Sequence, residues 1–137
     1  MQAPFTALMT IANGESKITE TIFENRMNHI YLLNEMGARI KLNKNVASIK
    51  GVKTINGMDL VGSDLRSSAA LIIAGIIAKG SSKIYGLEHL DRGYENFELK
   101  LKNLGIKIIR EISKSTLEED EYKIKPKSEN LPKLKVA

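Results

Sequence analysis

The stretch Gly62-Ser63-Asp64-Leu65-Arg66-Ser67-Ser68-Ala69-Ala70-Leu71 reads as the abrupt start of a buried helix. Ser63 or Asp64 suits the N-cap, because a short side-chain oxygen there accepts a backbone N–H group that the helix leaves unpaired. Apolar residues then run almost unbroken from Ala69 to Ala78, so the sequence predicts a helix packed inside sheets. The positive dipole at its start suits an anion, although a cap and a solvated Arg66 explain the same residues without a ligand.

Composition limits the function classes. With 137 residues and 42% hydrophobic content, the chain is expected to form one compact domain. It has no cysteine, which excludes disulfides, thiolate metal sites and a cysteine nucleophile within these residues. His29 and His89 are too few for a histidine-built metal site, so no metal is predicted. The net charge of +5 fits anionic small molecules about as well as any larger partner. The sequence has no tryptophan and no interleaved aromatic and basic residues of the kind that bind single-stranded nucleic acid.

Nothing in the sequence predicts a membrane segment. The longest apolar run has ten residues, whereas a bilayer-spanning helix needs about 20. Residues Met1–Phe5 lack the basic leader and apolar core of a secretory signal, and we therefore expect a cytoplasmic protein.

The chain contains an internal repeat, which indicates a duplicated supersecondary unit. In each copy, an arginine follows twelve residues after the first glycine, and a second glycine follows later. The matching pairs are Gly14–Ile18 with Gly80–Ile84, Arg26 with Arg92, and Leu33–Gly37 with Leu101–Gly105. The offset between the copies is 66 to 68 residues.

Each copy is predicted to hold a buried helix, a short strand, a second helix and further strands. Helices are predicted at 2–13, 25–36, 64–79 and 91–104, and strands at 16–22, 38–42, 46–49, 53–55, 82–87 and 106–112. We therefore expect an α/β domain at 1–112, with copies at about 1–62 and 63–112. Residues 113–137 are rich in charge and hold two of the three prolines, which predicts a mostly disordered tail, with a short strand at 121–124 left open.

Three blocks of sequence carry a family resemblance: Ile18–Arg26, Ser63–Ala69 and His89–Glu95. In this order and spacing, they resemble the C-terminal third of the UDP-N-acetylglucosamine 1-carboxyvinyltransferases, which are enolpyruvyl transferases. The similarity covers roughly 1–111. The related shikimate-pathway transferases resemble the chain less, because their middle block differs.

The resemblance implies an inside-out α/β barrel fold, of which this chain supplies about two repeats of one domain. It implies transfer of the enolpyruvyl group of phosphoenolpyruvate to the 3′-hydroxyl of UDP-N-acetylglucosamine in peptidoglycan synthesis, and thus a role in cell wall biogenesis, cell shape and cell division. No metal or organic cofactor is implied.

The resemblance also assigns roles to residues. Asp64 and Arg92 are implied to be catalytic, with Arg92 holding phosphoenolpyruvate. Residues Ile22, Phe23, Arg26, Arg66 and Arg92 are implied to bind substrate. Two alternatives stay open from the residues alone: Asp64 as a helix cap, which one residue can combine with catalysis, and Arg26 in an ion pair with Glu20 or Glu24.

Other parts of the family's site have no counterpart here. The family's general base is an aspartate directly before the segment that matches Met1-Gln2-Ala3, and its mobile-loop cysteine or aspartate and opposing domain are also absent. The resemblance therefore implies a C-terminal fragment that is inactive alone and partners with the N-terminal part of the enzyme. The alternative is a non-catalytic repeat module that binds an anionic ligand or a partner protein, with a basic nucleic-acid module ranked third.

Overall fold

The computed structural model describes residues 1–23, 26–111 and 133–136. In these residues, five helices and seven strands form two sheets with helices packed between and beside them. The helices are α1 (Gln2–Met9), α2 (His29–Glu35), α3 (Leu65–Ile77), α4 (Leu87–Asp91) and α5 (Phe97–Asn103). The strands are β1 (Glu15–Thr19), β2 (Arg39–Asn43), β3 (Val46–Lys50), β4 (Asp59–Val61), β5 (Ser82–Tyr85), β6 (Ile108–Glu111) and β7 (Lys133–Val136).

The two sheets repeat one topology. The first has the order β1-β3-β2 and the second the order β4-β5-β7-β6, so β5-β7-β6 corresponds to β1-β3-β2. All these corresponding pairs are antiparallel, and β4 adds a parallel strand to the second sheet. Ile18 pairs with Ala47 in one copy, as Ile84 pairs with Leu134 in the other. The duplicated unit inferred from the sequence is therefore visible in the strand register.

Glycines recur at matching positions in both copies: Gly14 and Gly80 precede β1 and β5, and Gly37 and Gly105 follow the ends of α2 and α5. Gly14 and Gly80 have φ values of +111° and +92°, and Gly37 and Gly105 have φ values of +99° and +85°. These left-handed conformations favour glycine because it has no Cβ atom to clash with the neighbouring carbonyl. The glycines thus explain why the repeat is so clear in the sequence.

Helix α3 lies at the centre of the core. Leu71 and Ile72 are fully buried, and burial of each such side chain contributes about 1.5–3 kcal/mol. Helix α1 packs against α3 through small residues, including the buried Ala3 and Ala7, which let the two backbones approach closely. The prediction of a helix enclosed by other elements is confirmed for α3, whereas α1 leaves Phe5 half exposed on its outer side.

The described strands form two open sheets and not a closed barrel. The enolpyruvyl transferase type of fold predicted from the sequence is nevertheless found among the solved structures described below. None of the helices in the described part of the chain is both long and apolar enough to cross a membrane.

Several predicted elements need correction. Residues 53–55 do not form a strand, because the Ile55 carbonyl accepts a hydrogen bond from Lys79 N at 2.8 Å, at the end of α3, and only an isolated bridge forms at Asn56. The helix predicted at 91–104 is confined to α5 and begins only at Phe97, since the preceding Asn96 adopts a left-handed conformation with φ +49°. The short helix α4 was not predicted, and β5 ends at Tyr85 and not at Leu87. The helix predicted at 2–13 ends at Met9, and the helix predicted at 25–36 begins at His29, so both are shorter than expected.

The tail prediction also needs a correction at one place. Residues Lys133–Val136 form β7, which lies between β5 and β6 and completes the second copy of the repeat. Leu134 and Val136 are buried in the core, so these four residues are not part of a disordered tail. The predicted short strand at 121–124 lies outside the described residues.

Candidate functional site

Asp64 caps α3. Its backbone is extended, with φ −160° and ψ 170°, and its Oδ1 atom accepts hydrogen bonds from Arg66 N at 2.9 Å and Ser67 N at 3.0 Å. The Ser63 hydroxyl donates to the other carboxylate oxygen at 3.3 Å. Of the two capping candidates in the sequence, Asp64 is therefore the N-cap. Its exposed carboxylate places a negative charge beside the first turn of α3.

A tight turn after β1 presents Ile22 and Phe23. The Glu20 carboxylate accepts hydrogen bonds from Ile22 N at 2.9 Å and Phe23 N at 3.3 Å. The Ile22 N–H group is the main cause that lowers the pKa of Glu20 below its ordinary value, and the positive charges of Arg26 and Arg66 lower it further. Glu20 thus holds the turn as a carboxylate and lies within the electric field of both arginines.

Two guanidinium groups lie over the ring of Phe23. The Arg26 Cζ atom lies 3.5 Å from the centroid of the Phe23 ring, and the Arg66 Cζ atom lies 5.9 Å from it. Such cation–π contacts hold guanidinium groups in place without using their hydrogen-bond donors. Accordingly, the buried Nη1 atom of Arg26 has no hydrogen-bond partner among the described residues. The predicted ion pair between Arg26 and Glu20 is not formed, and Glu24 lies outside the described residues.

A groove of about 1090 Å³ opens beside this turn. Its walls include Ile22, Phe23 and Arg26, three of the residues that the resemblance assigned to substrate. Tyr31 and Lys44 extend the walls on the side of α2 and of the β2–β3 turn. The groove is large enough for part of a nucleotide sugar, and it combines an apolar floor with cationic groups, as ligand sites commonly do.

His29, the first residue of α2, is buried against the start of α1. It is only 2% exposed, and its Nε2 atom lies 3.4 Å from Nε2 of Gln2. Burial lowers the pKa of His29 to about 4, while the negative charge of Asp64 acts in the opposite direction. The imidazole is therefore neutral at pH 7. The burial of His29 was not predicted from the sequence. One signal was present, because His29 lies four residues before the buried Leu33 and therefore on the same face of α2.

Arg92 lies next to the same helix start but outside the groove. It is exposed and follows α4, whose final residue Asp91 pairs with Arg110 through both guanidinium Nη atoms. The next residue, Gly93, lies so close to Leu65 of α3 that a Cβ atom there would be 2.6 Å from a leucine methyl group. The structure thus brings Arg26 and Arg66 together at Phe23, and it places the Arg92 segment against the first turn of α3.

No group of three metal-ligating His, Cys, Asp or Glu side chains occurs within residues 1–23, 26–111 and 133–136. The functional groups that converge at the start of α3 are carboxylate, guanidinium and aromatic. Such a set can bind a phosphate or carboxylate through charge-assisted hydrogen bonds and can pack an apolar or planar group beside it.

Comparison with known proteins identifies the class of protein. Residues 1–101 match the family described as EPSP synthase (3-phosphoshikimate 1-carboxyvinyltransferase), and the chain belongs to this family. Over all 137 of its residues, the chain is 88% identical to the UDP-N-acetylglucosamine 1-carboxyvinyltransferase of Prochlorococcus marinus strain AS9601. The resemblance inferred from the three sequence blocks is thereby confirmed. The chain spans about 30% of the length of this curated relative.

Solved structures agree with this assignment. The enolpyruvyl transferase NikO from Streptomyces tendae is 30% identical, with a TM-score of 0.66 over 74% of this chain and 24% of its own. An EPSP synthase from Acinetobacter baumannii, at 15% identity, shares the fold alone, with a TM-score of 0.67 over 98% of this chain and 27% of its own. The predicted enolpyruvyl transferase type of fold is thus confirmed.

Proposed function

We propose that this chain supplies part of the active site of a UDP-N-acetylglucosamine 1-carboxyvinyltransferase. The main support is its 88% identity, along its whole length, to a relative of that name. The reaction would be a cytoplasmic step of peptidoglycan synthesis and would thereby serve cell wall biogenesis and cell division. Phosphoenolpyruvate and UDP-N-acetylglucosamine would be the substrates, and the remainder of the enzyme would be the partner of this chain.

In this proposal, the reaction is an addition followed by an elimination. In the addition, the 3′-hydroxyl of the sugar loses its proton, its oxygen forms a bond to C2 of phosphoenolpyruvate, and C3 of the former double bond gains a proton. In the elimination, the bond between C2 and the phosphate oxygen breaks, inorganic phosphate leaves, and C3 loses a proton to restore the C2–C3 double bond. During the elimination, negative charge builds up on the departing phosphate, beside the carboxylate. Preorganised cations lower the free energy of such a transition state because they need no reorganisation during the reaction.

Each site residue has a role in the proposal. The unpartnered Nη1 atom of Arg26 supports its role as an anion ligand, and Arg66 on the same Phe23 ring adds a second charge. Arg92 would hold the phosphoenolpyruvate carboxylate or phosphate. Ile22 and Phe23, on the exposed turn fixed by Glu20, would contact the nucleotide sugar.

Asp64 would act near the reacting centre. Its Oδ1 atom is occupied by two backbone N–H groups, whereas Oδ2 receives only the Ser63 hydroxyl, at 3.3 Å. A carboxylate oxygen with free lone pairs can accept a proton or orient the sugar hydroxyl. The capping bonds would fix the orientation of this oxygen, so capping and catalysis would be compatible in one residue.

A chimera tests the proposal. The 137-residue segment of the Prochlorococcus marinus AS9601 relative that matches this chain is replaced by it, and phosphate release from phosphoenolpyruvate is measured. We expect release that depends on UDP-N-acetylglucosamine at a rate within about tenfold of the unmodified relative. Release that depends on shikimate 3-phosphate instead would contradict the proposed acceptor. A folded but inactive chimera, together with phosphoenolpyruvate binding by the isolated chain, would favour the non-catalytic binding module.

A further inference from the structure

The sheet β1-β3-β2 carries a cationic face that the proposed function does not use. In the antiparallel register, Lys17, Ser48 and Lys41 lie side by side in one row across the three strands. Glu15, Lys50 and Arg39 form the next row. Side chains alternate between the two faces of a strand, so both rows project from the same face.

The opposite face belongs to the core. Ala47 and Ile49 of β3 alternate with Ser48 and Lys50, and both are almost fully buried. Ile40 of β2 is buried on the same side. The cationic rows therefore have a fixed orientation, because a slip of one residue would expose the core face and bury the lysines.

The charges on this face are not compensated. Lys17, Arg39, Lys41 and Lys50 are exposed, and none of them has an ion-pair partner within 4.0 Å in the described part of the chain. Glu15 is the single acid in the two rows, which leaves three net positive charges. The four cations border a cleft of about 840 Å³. Four like charges held side by side repel one another, and an anion in the cleft would relieve that repulsion.

The β2 edge of this sheet is blocked at Ile40, near its centre. The Asn34 side chain donates from Nδ2 to the Ile40 carbonyl at 2.9 Å, and its Oδ1 atom accepts from Ile40 N at 2.9 Å. An amide side chain thus occupies the positions that a neighbouring strand would take. A ligand that approaches Arg39 and Lys41 of β2 therefore contacts the cationic face and not the β2 edge.

The shape and chemistry of the cleft decide among anionic partners. Cations two residues apart on one strand are spaced by about 7 Å, which is also the spacing of alternate side chains in an extended peptide. The residues that line the cleft include no aromatic side chain on which bases could stack, unlike sites for single-stranded nucleic acid. A recess also suits a slender chain better than the planar surface of a membrane.

We propose that this face is a docking site for an extended acidic polypeptide segment of a partner protein. Carboxylates on alternate residues of the partner pair with Lys41 and Arg39 on β2, with Lys50 on the neighbouring β3 and with Lys17 on β1. The contact is electrostatic, reversible and sensitive to salt, because all four cations are exposed.

The test measures binding of a fluorescein-labelled polyglutamate peptide to the full chain by fluorescence anisotropy at low ionic strength. The double change Lys17→Glu and Lys41→Glu is expected to raise the Kd about tenfold, since two exposed ion pairs worth a few-fold each are lost. The matched control reverses two exposed lysines of α5, Lys100→Glu and Lys102→Glu, and lowers the net charge of +5 by the same four units. The control is expected to raise the Kd less than threefold.

Three results would overturn the proposal: no binding by the unmodified chain, equal loss in both double variants, or tighter binding of phosphatidylserine vesicles or a single-stranded oligonucleotide at the same lysines. Circular dichroism and the Tm verify that both variants are folded. If the face variant unfolds, Lys41→Gln alone is used, for which a two- to threefold rise in Kd is expected and an unchanged Kd would contradict the assignment.

Discussion

Replacement of Asp64 should separate its structural role from its chemical role. In Asp64→Ala, the N–H groups of Arg66 and Ser67 lose the oxygen that accepts them at 2.9 and 3.0 Å. The cap is exposed, so water partly replaces it, and the expected loss is about 1 kcal/mol of the free energy of unfolding. Asp64→Asn keeps an acceptor oxygen in the same place and removes only the charge. Its expected cost is therefore below about 0.5 kcal/mol.

Urea unfolding followed by circular dichroism measures this difference as a shift of the midpoint at constant slope. Phosphate release by the chimera described above provides the second readout. If the carboxylate acts near the reacting centre, Asn and Ala at this position lower kcat by a similar factor, on the order of 100-fold. The reasoning is refuted if Asp64→Asn destabilises the protein as much as Asp64→Ala, or if Asp64→Asn leaves kcat unchanged.

Three further predictions follow from individual contacts. Burial lowers the pKa of His29 from 6.5 to about 4, so the free energy of unfolding should fall by on the order of 3 kcal/mol as the pH falls from 7 to 4. His29→Gln should remove this part of the pH dependence, whereas His89→Gln should leave it unchanged. Gly86 has φ +79°, and a Cβ atom there would lie 2.4 Å from a backbone oxygen, whereas Gly80 has φ +92° and no atom within 4 Å of the corresponding position. Gly86→Ala should therefore lower the Tm more than Gly80→Ala. Phe23→Leu should weaken UDP-N-acetylglucosamine binding by the chimera about tenfold in calorimetry, since the ring that orders two guanidinium groups is lost, and an unchanged Kd would contradict this role.

Much of the fold could be predicted because the sequence repeats itself. Matching glycines with positive φ recur before β1 and β5 and after α2 and α5, and the apolar run of α3 indicates a central helix. The position of β7 could not be predicted in this way. Lys133–Val136 is a short alternating segment in a charged and proline-containing stretch, and only its pairing with β5 and β6 stabilises it as a strand.

The candidate site was predictable in part. A local pattern predicted Asp64 as a candidate cap of α3, because a short acidic side chain directly before an apolar helix is a common helix start. The substrate roles of Arg66 and Arg26 came from the family resemblance and stay predictions. The stacking of Arg26 and Arg66 on Phe23 depends on how the turn after β1 approaches α3, which no local pattern encodes. The burial of His29 near Asp64 likewise depends on the packing of α2 against α3.

The central claim is that the cations at Phe23 bind the anionic substrate, and the kcat/KM of the chimera for phosphoenolpyruvate with Arg26→Gln tests it most directly. A lost charged hydrogen bond costs about 1.5–3 kcal/mol, so kcat/KM should fall by roughly 10- to 150-fold. Lys53→Gln, which neutralises an exposed cation elsewhere, should leave kcat/KM unchanged. An Arg26→Gln chimera with the same kcat/KM as the Lys53→Gln control would contradict the claim.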